Sequence, residues 1–152
     1  MMSPAISNLT DHTGYWMRMV SNAVSQEFAR KVAVEGVTVA EWSFMRALFD
    51  EELSPPIALA DRMGMTRGAI SKLTDRLAAK GLIQRNESDT DRRGQLLSLT
   101  PAGRAKLPVL AGLADANDAE YFSVLTGDER KALNRILRVL VERGGLSATP
   151  VD

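Results

Sequence analysis

The chain has 152 residues, 45% of them hydrophobic and 25% charged, which is the composition of an ordinary globular domain and argues against disorder. Nineteen basic and nineteen acidic residues balance to zero, so the bulk charge points to no polyanionic partner. Cysteine is absent, which excludes disulfides, thiol redox sensing and thiolate metal sites.

Residues 1–8 read as a loose lead-in, followed by a helical pattern from about Thr10 to Val34. Tyr15, Met19, Asn22 and Ala23 lie near one face of it, with Trp16, Val20 and Val24 close by. Glu35-Gly36 breaks this helix. Thr38-Val-Ala-Glu41 has the form of a capping box and opens a second helix to about Phe49, with Trp42, Met45, Leu48 and Phe49 as its apolar side. Ser54-Pro55-Pro56 predicts a serine-capped third helix, whose buried side is Ile57, Leu59, Ala60 and Met63. Gly64 suits the left-handed stop after it, and Thr66 opens a fourth helix that ends at Lys80-Gly81. Two short helices joined by a tight turn form a helix-turn-helix.

In the fourth helix Ile70, Leu73 and Leu77 form a narrow apolar stripe, and Arg67, Gly68, Ser71, Lys72, Asp75 and Arg76 stand on the other side. Gly68 costs a helix roughly 0.5–1 kcal/mol against alanine. It makes sense where another surface must come close, or as a helix start that tolerates glycine. Leu82–Glu87 and Gln95–Leu99 read as paired strands joined by Ser88–Gly94, a connection longer than most hairpin turns, with Arg92 and Arg93 at its tip beside Asp91. Thr100-Pro101 starts a fifth helix to about Phe122, with Leu107, Leu110, Ala111 and Ala114 along one side. Thr126–Glu129 is a second capping box, and the sixth helix runs to about Glu142 with the stripe Leu133, Ile136, Leu137 and Leu140. The tail Leu146–Asp152 reads as frayed. The fold class is mainly α with a small β-hairpin wing (α+β).

The charge is not evenly spread. Between Arg62 and Lys106 stand ten Lys/Arg against four acids, and the rest of the chain carries nine against fifteen. A basic segment in an acidic remainder is the asymmetry expected when one face meets phosphate, although chance clustering on a solvated surface yields the same count. The first twenty residues include Asp11 and His12 with no apolar run, and no apolar stretch approaches the roughly 18 residues of a membrane span. The expectation is a soluble, cytoplasmic protein.

The run Thr38–Thr100 resembles the winged helix-turn-helix of the MarR (multiple antibiotic resistance regulator) family. The wing pattern D-x-R-x-x-x-L-x-L-T stands here as Asp91, Arg93, Leu97, Leu99 and Thr100. The block before it, Leu73-Thr-Asp-Arg-Leu-Ala-Ala-Lys-Gly-Leu82, is also the family's usual exit from its recognition helix. The resemblance covers nearly the whole chain. It implies one MarR-type domain over 1–152, with the winged helix-turn-helix at about 38–100 and dimerisation helices at about 9–34 and 101–143. It further implies a homodimer binding a pseudo-palindromic double-stranded operator, its recognition helices about one DNA turn, near 34 Å, apart.

On that reading the fourth helix enters the major groove. Thr66 and Ser71 bond phosphate or base edges through their hydroxyls, and Arg67 is the candidate base reader, since a guanidinium fits guanine bidentately. Lys72 and Arg76 anchor on phosphate, and Arg93, with Arg92 beside it, reaches the neighbouring minor groove. Many relatives are released by small aromatic or phenolic effectors bound between the dimer base and the heads. Trp16, Trp42, Met45 and Arg46 are either the lining of such an apolar pocket with one cation or plain core. No cofactor or metal is expected, since His12 is the sole histidine. Repression is the family's commoner mode. The readings from other classes are an enzyme, for which the chain has no serine–histidine arrangement or phosphate loop, and a winged-helix module that binds protein instead of operator. The latter predicts an apolar, uncharged recognition face.

Overall fold

A computed structural model describes residues 2–87 and 95–151. A short 3₁₀ turn at Leu9–Asp11 leads into α1 (Thr13–Val34), followed by α2 (Val39–Phe49), α3 (Pro56–Met63) and α4 (Arg67–Ala79). The antiparallel strands β1 (Ile83–Glu87) and β2 (Gln95–Leu99) come next, then α5 (Pro101–Phe122) and α6 (Gly127–Arg143). Ile83 pairs with Leu99, Arg85 with Leu97 and Glu87 with Gln95. The architecture is mainly helical with a two-stranded wing, as expected.

Local sequence sets most helix starts. The Thr38 hydroxyl accepts from the Glu41 amide at 3.1 Å, and the Glu41 carboxylate accepts from the Thr38 amide at 2.9 Å. Thr126 and Glu129 repeat the arrangement at α6, and Thr66 and Thr100 cap the Ala69 and Gly103 amides. Each such cap stabilises its helix by about 1 kcal/mol.

Three expectations for the α2–α3 region are corrected. Ser54 does not cap α3, whose N-cap is Pro55. Instead Ser54 is fully buried and bridges to Leu97 on the outer side of β2, through N–O distances of 2.9 and 2.7 Å, while its hydroxyl donates to Glu51 at 2.6 Å. Ile57 is 47% exposed and lies outside the core of α3. Phe49 is equally exposed, its ring flanked by the Arg46 and Arg104 guanidiniums at 5.6 and 6.0 Å. Cations within about 6 Å of a ring centroid are attracted by its quadrupole, which offsets part of the cost of leaving Phe49 half exposed.

The core forms where α2, α3 and α4 meet the wing and the first half of α5. Phe44, Met45 and Leu48 from α2, Leu59 from α3, Leu77 from α4, Leu97 from β2 and Leu110 from α5 are all fully buried. At Gly103 an added Cβ would sit 2.1 Å from the Leu82 carbonyl oxygen, so only glycine lets α5 start against the wing. α1 lies along α5, tied to it by Asn117, which accepts from Lys31 at 3.1 Å and donates to the Val24 carbonyl at 3.2 Å. No described helix is long and apolar enough to cross a membrane.

The tail has no regular structure and is exposed over 146–150, as expected of a frayed end, but it is not free of the head. Val151 packs against the core cluster, and the Ser43 hydroxyl donates to the Pro150 carbonyl at 3.3 Å. The Ser43 bond spans 107 positions, beyond the reach of any local pattern.

Candidate nucleic-acid interface

α4 is set so that one side is core and the other is open. Ile70, Leu73, Thr74 and Leu77 are buried, and the Thr74 hydroxyl donates back to the Ile70 carbonyl at 2.8 Å. Thr66, Arg67, Gly68, Ser71, Lys72, Asp75 and Arg76 are all exposed. The structure therefore brings the expected α4 residues onto one continuous surface. The Thr66 oxygen is engaged by the Ala69 amide, which leaves its hydroxyl hydrogen to donate outward. A Cβ at Gly68 would meet only the Thr66 hydroxyl, at 3.9 Å. Nothing inside the chain requires glycine there, and the position is open to solvent.

The electrostatics of this surface follow from one pairing. Asp75, the sole acid of α4, is bonded by Arg85 of β1, which offsets its charge and links the helix to the wing. Arg67, Lys72 and Arg76 enter no ion pair among the described residues. A cationic surface remains, with a small polar patch at its N-terminal end. Arg92 and Arg93 lie outside the described residues.

The far end of α4 is pinned by a residue that sequence reading treated only as a cap. Glu41 is fully buried, and Lys80, just past α4, donates to both of its oxygens at 2.8 Å and to the Gly36 carbonyl at 2.8 Å. Burial raises the Glu41 carboxyl. Bonds from Lys80 and the Thr38 amide, with the Lys80 charge, outweigh that and hold it below its ordinary value of 4.5. A fully buried acid at a helix start signals a cationic partner, but no spacing in the chain says which. A second pin joins α3 to the α2–α3 turn: Arg62 donates to Glu51 at 2.5 Å and to the Ala47 carbonyl at 3.0 Å. The Ser54 hydroxyl and Arg62 together hold Glu51 low.

The four residues considered for an effector pocket are not gathered into one site. Met45 is wholly within the core. Trp42 and Arg46 line a cleft of about 240 Å³ between α2 and α3, together with Asp50, Arg62, Met63 and Thr149. Trp42 stands edge-on to Phe28, and Arg46 is bonded to Asp50 at 2.8 Å. Trp16 is 51% exposed and lines a separate groove of about 660 Å³ between α1, the end of α5 and α6, with Tyr121, Phe122, Leu133 and Leu137 among its neighbours.

Known proteins share this arrangement. The profile of the MarR family matches residues 35–94. A transcriptional regulatory protein for the hcr operon of Thauera aromatica is 30% identical over 146 residues, covering 95% of this chain and 87% of that one. The HTH-type transcriptional repressor MdtR of Bacillus subtilis is 35% identical over 107 residues, covering 70% of this chain and 68% of that protein. A MarR variant from Escherichia coli, crystallised with operator DNA, superposes with a TM-score of 0.75 over 84% of this chain and 92% of that one, at 24% identity, a likeness of fold. With its recognition surface, wing and terminal helices arranged in this way, the chain belongs to the MarR family and is a DNA-binding transcriptional regulator, not an enzyme.

Proposed function

We propose that the protein is a homodimeric repressor that binds a pseudo-palindromic operator through α4 and the wing and is released by a small organic effector. The cationic outer surface of α4 carries this reading. Arg67 meets base edges from the first turn of the helix, where Gly68 lets the duplex approach. Thr66 and Ser71 donate hydroxyls nearby, and Lys72 and Arg76 neutralise phosphate on either side. Arg92 and Arg93, at the wing tip in the sequence, supply charge for the adjacent minor groove. A winged helix that binds protein is disfavoured by the same surface, since the buried centre of a protein interface is depleted in charged residues.

Dimerisation is supported by what the single chain leaves uncovered. Trp16, Met17, Met19 and Val20 on α1 and Ile136, Leu137, Leu140 and Val141 on α6 are between 38% and 51% exposed. An apolar area of this kind on a regulator with two-fold symmetric targets fits an isologous partner. The effector would be a small aromatic or phenolic compound. Two recesses fit that chemistry: the α2–α3 cleft offers Trp42 beside the Arg46 and Arg62 cations, and the α1–α6 groove offers Trp16 and Tyr121. The cytoplasm, where operators are accessible, is the proposed compartment.

The test is a mobility shift on the DNA around the protein's own gene, run across salt concentrations. Affinity should fall linearly in log–log form as salt rises, with a slope set by the number of phosphates neutralised. Binding that ignores salt, or is missing even at about 50 mM, would favour the protein-interaction module, because phosphate contacts dominate nucleic-acid affinity.

A further inference from the structure

Residues near the end of the chain supply one wall of the α2–α3 cleft. At the end of α6 the Leu146 amide donates to the Val141 carbonyl at 3.0 Å, which closes the helix and turns the backbone. Residues 147–151 then run without regular structure along the reading head. Thr149 forms one wall of the cleft that Trp42, Arg46, Arg62 and Met63 complete. Pro150 accepts from Ser43, which is nearly buried, and Val151 packs on the core cluster of the head. Proline fixes its own backbone angle and holds Thr149 extended, so less freedom is lost when this segment docks.

The fourth contact falls on the hinge of the reading motif. Gly64 ends α3 with φ +62, and a Cβ built on it would stand 2.7 Å from the Ala148 side chain. Ala148 is thus seated on the bare backbone of the turn that joins α3 to α4. A side chain at Gly64 would have to displace the tail.

We propose that residues 147–151 are an intramolecular strap, running along the edge of the α2–α3 cleft, that ties α6 to the helix-turn-helix and stiffens the turn at Gly64. Because the strap begins at the end of α6 and finishes on the head, it couples the two. Its contacts lie within one chain, and only its effect on DNA rests on the operator reading above.

Hydrogen exchange on the intact protein tests this, against a chain truncated after Leu146, which keeps the bond that closes α6. Exchange over Leu59–Thr66 and Trp42–Asp50 should speed up by at least about fivefold, the low end of ordinary coupling between sites. Ala148→Glu, at full length, should reproduce the effect by being too large for the seat on Gly64. Operator affinity should fall in both variants, by a comparable factor. Unchanged exchange in both variants overturns the strap, and a change on truncation alone overturns the seat on Gly64. Faster exchange with unaltered operator affinity overturns the coupling to DNA. A parent chain that binds no operator, yet shows the exchange difference, sinks the operator reading and supports the strap.

Discussion

α2 and α6 are both capped by threonine–glutamate boxes and both carry an apolar stripe, yet they fare oppositely in the folded chain. α2 buries Phe44, Met45 and Leu48 completely, along with Glu41, while α6 has no buried residue at all. The difference lies in what surrounds each helix. α2 is enclosed by α3, α4, β2 and α5, so the head closes on itself. α6 meets its own chain along one edge, where Arg130 bonds Asp118 and lies over the Phe122 ring at 5.9 Å. One amphipathic design thus builds a core in the first case and leaves an uncovered apolar face in the second.

The sharpest way to break this contrast is to empty the closed side. Phe44→Ala should cost about 3–5 kcal/mol of folding stability, seen as an earlier midpoint in urea, because the packed core cannot collapse around the cavity. On the open side Leu137→Ala should leave the secondary structure intact and weaken self-association by about 1–2 kcal/mol per dimer, because the side chain is still 38% exposed in the single chain. Sedimentation at several concentrations checks this, and an undiminished dimer would place the partner face elsewhere. For the surface that serves neither core nor partner, Arg67→Ala should cost about 1–3 kcal/mol of operator affinity and relax preference at one base position, as read from a panel of single-base operator variants.

Smaller effects concern the pin between α2 and α4. The Glu41 carboxyl sits below its ordinary value of 4.5 in the folded chain, so the folded state favours its ionised form. Its contribution is fully present above that value and is lost as pH falls through the lowered one. Glu41→Gln should therefore cost about 1–2 kcal/mol near neutral pH and flatten the acid limb of the stability curve. Smallest of all, Lys72→Ala should reduce the salt slope of operator binding by about one while leaving sequence preference unchanged.

How legible these features were in the sequence depends on the range of the contact behind each. Both capping boxes, the helix-turn-helix and the outward α4 face rest on neighbours three or four residues apart, and all could be read. Ser54 was misassigned because its partner, Leu97, is 43 positions away and nothing local distinguishes a cap from an edge bridge. Phe49 and Ile57 look like core by spacing, but arginine stacking and the edge of the head leave them exposed. The grouping of Trp16 with Trp42, Met45 and Arg46 failed because composition names pocket-like residues without saying which elements meet. The docked tail had no periodicity to announce it, and its hold on Ser43 spans 107 positions.

The bond between Asp75 and Arg85 has a consequence for operator architecture. It lies over a core in which Leu73 and Leu77 of the recognition helix are buried with Ile83 and Leu97 of the strands, so the two prongs of a head move as one unit. In the proposed dimer, one extra base pair between half-sites swings one groove by roughly 35° relative to the other, at about 10–10.5 base pairs per turn. Neither head can absorb that twist internally. Tolerance to spacing must come from where the heads join their terminal helices, so operators served by this chain should share one fixed pitch.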